Sequence, residues 1–258
     1  EIYQCDWSSD VCSSDLNKRS LAWAIAQSTA TRGATLALTY QGRFEENVRE
    51  LAAELPSPSI VLPCDVTSDA DMDTVFATLE REWGGLDFVV HGAAFAGKDE
   101  LSGAFANTSR QGFLTAMDIS AYSLVALARR AMPLMERRGG GSLVTLTYLG
   151  SERAFPNYNV MGVAKAALEA NVRYLAADLG PKNVRVNAVS AGPVKTISAM
   201  GVGGFSGFLS AYRDRAPLRR TVESAEVGEA AAFLLSDAAR GITGEVLMVD
   251  GGYSISGV

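Results

Sequence analysis

The chain of 258 residues has one histidine, His91, and three cysteines, Cys5, Cys12 and Cys64. A single histidine excludes a His-rich metal centre, and no metal site is expected. Three scattered cysteines do not make a disulfide framework, so a reducing cytoplasm is the expected setting. There is no apolar run of about 18 residues, the length that crosses a bilayer, and no secretory leader or membrane association is expected. Positive charge is not in excess: the formal net charge is -6 and no basic stripe stands out, which argues against nucleic acid as a partner. Glycine is absent from residues 1–32, although the chain holds 25 glycines. A backbone cradle for a pyrophosphate needs close approach and positive φ, which glycine supplies at little cost. The familiar G-x-G-x-x-G signal is therefore missing.

Hydrophobic residues make up 48% and charged residues 20%, an ordinary globular balance. Apolar runs of strand type occur at 34–40, 59–65, 86–92, 141–148, 184–192 and 244–251. Between them lie longer segments with helical periodicity, at 20–32, 44–55, 69–83, 118–137, 160–179 and 224–237. Strands that are apolar throughout and alternate with helices predict an α/β fold: a doubly wound, mostly parallel sheet of Rossmann type. No linker divides residues 17–258, which are expected to form one domain. The opening sixteen residues, EIYQCDWSSDVCSSDL, are rich in Ser and Asp and nearly repeat themselves. They read as a foreign segment standing where the first strand and its glycine-rich turn belong. The alternative is that IYQCDW supplies a strand of its own.

Ligands of such sheets bind beyond the carboxyl ends of the strands. The fifth visible run ends richest, in LTYLGSERAFPNYN. Tyr148 closes the strand, Tyr158 precedes the next helix, and Lys165 follows seven residues later. Seven residues return to nearly the same helix face about 10 Å along the axis. A nearby ammonium stabilises phenolate and can donate to ribose hydroxyls. A tyrosine and a lysine so placed can address one bound molecule from two points.

The string TYLGSERAFPNYNVMGVAKAALEANVRYLAADLGPKNVRVNAVSAGPVKT strongly resembles the enoyl-acyl-carrier-protein reductases of bacterial type II fatty acid synthesis. These belong to the short-chain dehydrogenase/reductase superfamily. The likeness runs from about Asn17 to the C-terminus, through CDVTSDADM, ISAYSLVALA, APLRRTVE and GEVLMVDGG. The commoner members of the superfamily carry Tyr-x3-Lys; here Met161 stands four residues before Lys165, so ordinary carbonyl reduction lacks its acid.

The resemblance implies reduction of a trans-2-enoyl thioester by NADH, with NADPH less favoured because no arginine immediately follows Tyr40, although Arg43 is close. It implies Tyr158 as hydrogen-bond or proton donor to the thioester oxygen, Lys165 on the nicotinamide ribose, and Tyr148 lining the substrate pocket. Asp65 and Val66 match adenine contacts, and Gln41 falls near the adenosine ribose. His91-Gly92-Ala93-Ala94-Phe95 departs from the more usual His-Ser-Ile-Ala/Gly-Phe, leaving backbone contacts at Gly92 and Ala93. His91 itself reads as a strand-end histidine held by hydrogen bonds. Val194 and Thr196 match the segment facing the nicotinamide amide. Residues 197–215, with Phe205 and Phe208 among glycines, read as a flap over the acyl chain. Acyl carrier protein is the implied partner, although the stretch GVGGFSGF lacks the basic residues that dock it in the family. Kinship implies a homotetramer. The rivals are a reductase of another enoyl or carbonyl substrate and a catalytically silent nucleotide-binding protein.

Overall fold

A computed structural model describes residues 2–4, 18–194 and 205–256. Seven parallel strands form one sheet: β1 (Ile2–Gln4), β2 (Ala37–Tyr40), β3 (Ile60–Pro63), β4 (Phe88–His91), β5 (Gly141–Thr147), β6 (Val184–Ala191) and β7 (Val246–Val249). Their order is β3-β2-β1-β4-β5-β6-β7, so the order in which strands are added reverses between β1 and β4. That reversal is the switch point at which doubly wound sheets bind ligands.

Helices cover both faces: α1 (Leu21–Ala30), α2 (Glu45–Ala53), α3 (Asp69–Trp83), α4 (Arg110–Met117), α5 (Ser123–Arg137), α6 (Asn159–Leu179), α7 (Phe205–Arg215) and α8 (Ser224–Leu235). One face packs α3, α5 and α6 on the sheet through Met72, Leu79, Leu124, Leu127, Leu168 and Val172. The other packs α1, α2 and α8 through Trp23, Ile25, Leu51, Val227 and Leu234. Helices α1 and α8 press together because position 228 is glycine: a Cβ there would lie 2.6 Å from the Ala24 carbonyl oxygen. Arg130, only 10% exposed, ties α5 to Asp69 and Asp73 of α3. Among the described residues, no helix is long and apolar enough to cross a membrane.

The periodicity at 118–137 belongs to two elements. Residues Asp118–Tyr122 form a π-type turn that runs into α5. Helix α4 was not foreseen, since Gly112 interrupts its two short turns; Ser109, whose hydroxyl accepts from the Gly112 N–H at 2.9 Å, is its start signal.

The opening stretch does place a strand in the central slot. Ile2, Tyr3 and Gln4 pair in parallel with Ala37, Leu38 and Thr39 on one side and with Val89, Val90 and His91 on the other. Strand pairing uses backbone donors and acceptors, so an unusual local sequence can fill a central slot that would otherwise leave both neighbours unpaired. The alternative that this stretch supplies its own strand is the one the sheet adopts. Proline at position 3 removes a donor from a central strand. Tyr3→Pro is expected to destabilise the chain by about 3 kcal/mol, lowering Tm by about 10 °C. Thermal unfolding by circular dichroism checks this, and an unchanged Tm would remove β1 from the sheet.

Candidate active site

Strand β5 delivers Tyr148 to the end of the sheet, and a short 3-10 turn, Leu149–Ser151, leads on toward α6. The rings of Tyr148 and Tyr158 meet edge to face, with centroids 5.0 Å apart and planes at 68°. Phe155 backs Tyr148 at 5.2 Å. Two glycines permit this approach. A Cβ at Gly150 would run into the Tyr158 ring, and one at Gly162 would lie 2.7 Å from the Gly150 carbonyl oxygen. Tyr158 packs on Ala96, Leu101, Val160, Met161 and Ala164. Burial first, and then the Tyr253 phenol, hold the Tyr148 hydroxyl above the usual phenolic range. Met161 is buried, and its sulfur accepts from the Ser120 hydroxyl at 3.8 Å.

Behind this pair, three successive residues of β5 are each held by a buried polar side chain. His91 Nδ1 lies 2.7 Å from the Thr145 hydroxyl, Lys165 Nζ donates to the Leu146 carbonyl at 2.8 Å, and Thr147 Oγ1 donates to Glu169 Oε1 at 2.6 Å. The other ring nitrogen of His91 is 2.7 Å from Ser123 Oγ, which itself donates to the Ile119 carbonyl at 2.6 Å. Ser123 therefore accepts from Nε2–H, the Thr145 hydroxyl lies between Nδ1 and the His91 carbonyl, 3.2 Å away, and burial keeps the ring neutral. Burial first, and then the Lys165 charge, push the His91 pKa down to about 3. His91 is a structural strand-end residue.

At the ends of β2 and β3, the Gln41 amide donates to Asp65 Oδ2 at 3.1 Å. Asp65 Oδ1 accepts from the Thr67 N–H and hydroxyl at 2.8 and 2.6 Å. Asp118 stands close by, its carboxyl held above the usual range by burial first, then by Asp65 and Asp69. Val66 packs on Ala93 and Ile119, with Phe95 beside them, and Gly92 is buried next to Ala93. The Phe95 N–H donates to Ser120 Oγ at 2.9 Å. Gln41, Asp65 and Val66 thus follow β2 and β3 on one side of the switch point, while Gly92 and Ala93 follow β4 and Tyr148, Tyr158 and Lys165 gather at β5 on the other.

After β6, the Gly192 N–H donates to the Val249 carbonyl at 2.8 Å, and Val194 packs on the core. Thr196, residues 197–204 and the side chain of Phe205 lie outside the described residues. Helix α7 is anchored at its far end by Tyr212, which donates to the Asp250 carbonyl at 2.5 Å and stacks on Tyr253 at 4.1 Å. Sequence reasoning passed over Ser120, Glu169, Tyr212 and Tyr253. The spacing of Glu169, four residues after Lys165, was a usable signal; the other three are brought in by tertiary packing alone.

The fold and the strand-end residues define a reductase of the Rossmann-type short-chain dehydrogenase class. The family described as enoyl-(acyl carrier protein) reductase matches residues 16–254, and the chain belongs to that family. It is 55% identical to the NADH enoyl-acyl-carrier-protein reductase FabI of Bacillus subtilis over 93% of both chains. Its identity with the Bacillus cereus enzyme of the same name is 56%, covering 93% of this chain and 94% of that one. The crystal structure of the Bacillus cereus reductase with NADP+ and an indole naphthyridinone superposes with a TM-score of 0.91 at 52% identity, covering 99% of this chain and 97% of that one. The Anaplasma phagocytophilum reductase with NAD gives 0.90 at 46% identity, covering 99% and 95%.

Two expectations follow from this geometry. A histidine neutral when folded but charged when unfolded stabilises fully above pH 6.5; that stability is lost as pH falls toward about 3, at about 1.4 kcal/mol per pH unit. His91 is the only histidine, so its ring resonances in the folded chain are expected to stay those of a neutral imidazole through pH 5. Titration near 6.5 by NMR would contradict the network. Gly150→Ala is expected to displace the Tyr158 ring and lower turnover of an enoyl thioester about tenfold or more, with Tm within a few degrees of the parent. Steady-state kinetics with a melting curve check this.

Proposed function

We propose that the chain reduces trans-2-enoyl thioesters carried on acyl carrier protein to the saturated thioesters, with NADH as reductant. One observation carries this reading: Tyr148 and Tyr158 meet at the end of β5 beside Lys165, while Met161 occupies the place of the carbonyl reductases' acid.

The residues around the switch point fit a dinucleotide. The Asp65 carboxylate and the Val66 backbone suit the amino group and ring of adenine. The Gln41 amide suits a ribose hydroxyl. Gly92 and Ala93 let the backbone approach without side-chain bulk, and the Lys165 ammonium suits the second ribose. Val194 and Thr196 are placed by sequence to meet the nicotinamide amide. Gln41 already donates to Asp65, and Asp118 lies near that carboxylate. A 2′-phosphate there would face like charge, which favours NADH over NADPH. The bound cofactor supplies a hydride for the β-carbon of the substrate.

The chain's own residues do the rest. Negative charge grows on the thioester oxygen as the double bond is reduced, and the Tyr158 hydroxyl donates to that oxygen. Tyr148 lines the pocket and limits where Tyr158 can lean. Lys165 keeps the cofactor in register, a positioning contribution. Residues 17–258 form the reductase domain, and 197–215 form a flap whose Phe205 contacts the acyl chain and whose closure excludes water. The protein works in the cytoplasm as a homotetramer.

The test is NADH oxidation with a short trans-2-enoyl thioester. Tyr158→Phe is expected to lower kcat about 100-fold with little change in NADH affinity. Lys165→Met is expected to weaken NADH binding about tenfold, or about 1.4 kcal/mol, read by nicotinamide fluorescence. Turnover of a 3-ketoacyl thioester in place of the enoyl thioester would overturn the assignment.

A further inference from the structure

Glu169 has no part in the reaction described above, yet its carboxylate is buried, 6% exposed, one helical turn beyond the equally buried Lys165. Residues four apart on a helix share a face, with Cβ atoms about 5–6 Å apart. From that face Lys165 Nζ reaches the Leu146 carbonyl and Glu169 Oε1 takes the Thr147 hydroxyl, so the two side chains hold consecutive residues of β5 just before Tyr148. An amide oxygen could also accept the Thr147 hydrogen bond, though less strongly than a carboxylate. What the carboxylate adds is a negative charge in a place where charge is costly unless opposed. A buried lysine has the converse problem, since burial drives it toward the neutral amine.

We propose that Glu169 is a positioning residue whose buried carboxylate keeps Lys165 in its ammonium form and, through Thr147, fixes the strand end that carries Tyr148. The proposal rests on the reading of Lys165 as the residue that holds the cofactor.

Among the described residues, the other ionisable groups on the surrounding elements are engaged elsewhere, carry no charge or face solvent. On β4, His91 is neutral, between the Ser123 and Thr145 hydroxyls. Tyr148 after β5 is a neutral phenol, and Tyr158, in edge contact with it, is a second phenol. Arg185 on β6 turns to the Leu234 and Ser236 carbonyls. Asp118, before α5, faces Asp65 and Asp69, and Arg129 and Arg130 of α5 pair with α3. On the turn after β4, Glu100 accepts from the Ser109 N–H and hydroxyl, while Lys98 and Asp99 are exposed. Glu152, after the turn that follows β5, is exposed, as is Arg173 farther along α6. Glu169 is the buried carboxylate on the lysine's own face.

The deciding measurement is the titration of Lys165 by 13C NMR of the full chain labelled at the lysine ε-carbon. The lysines are Lys18, Lys98, Lys165, Lys182 and Lys195, and Lys165→Met assigns the signal. Glu169→Gln keeps the acceptor for Thr147 and removes the charge; it is expected to lower the Lys165 pKa by about one unit or more. Thr147→Val removes the hydrogen bond and keeps the charge, and is expected to leave that pKa close to the parent's. A Glu169→Gln titration that superposes on the parent's overturns the proposal, as does a Thr147→Val shift of equal size. A measurement on the parent alone guards against a variant that does not fold: the Glu169 side-chain carboxyl resonance must be that of a carboxylate at pH 7, and a protonated acid there also overturns it. NADH binding measured on the same samples stands apart. A parent that binds no NADH refutes the function assigned to Lys165, while the titrations still decide what Glu169 does.

Discussion

The close approach of α6 to the turn after β5 is the constraint on which the rest of the site depends. Gly150 and Gly162 lie face to face across that contact, and a methyl group on either would push the two segments apart. With the contact closed, Tyr158 at the start of the helix comes down on the edge of Tyr148 at the end of the strand. Farther along the same helix, Lys165 and Glu169 then fall opposite Leu146 and Thr147. The spacing of four side chains is thus set by one backbone-to-backbone distance. Packed interiors do not deform smoothly, so loosening that contact would disturb all four together.

The same contact explains why charged and polar groups are buried behind the Tyr148 and Tyr158 pair. A parallel sheet covered on both faces leaves its strands in apolar surroundings, where an unsatisfied polar atom is costly. Here His91, Lys165 and Glu169 each meet a specific atom of β5, and the strand is held residue by residue up to Tyr148. The neutral state of His91 belongs to this arrangement: with both ring nitrogens committed and the lysine charge nearby, a second positive charge has nowhere to go.

Much of this was legible in the sequence. The apolar runs before Tyr40, His91, Tyr148 and Gly192 placed four strand ends correctly, because strands buried on both faces show as unbroken apolar stretches. The Tyr158 and Lys165 spacing was legible because seven residues bring a helix back to nearly one face. What escaped depends on contacts between distant segments. Tyr212 reads as one more residue in a glycine-rich stretch, and only the fold shows it stacked on Tyr253 and bonded to the Asp250 carbonyl. Ser120 likewise lies in an ordinary helical pattern, and it is the π-type turn that brings its hydroxyl to the Phe95 backbone. Thr196 and the segment up to residue 204 fall outside the described residues, so for them the sequence alone speaks.

The opening segment separates two demands that a dinucleotide fold usually meets together. A central strand asks for backbone donors and acceptors in an extended conformation, and almost any short sequence without proline can supply them. Ile2–Gln4 does so, bridging β2 and β4. A turn that wraps a pyrophosphate asks for more: backbone N–H groups converging on one point, with positive φ where a side chain would collide. Residues 1–32 contain no glycine to meet that demand cheaply. Filling the strand slot and building a phosphate cradle are therefore separate requirements on a sequence, the first met by backbone alone, the second by residue type.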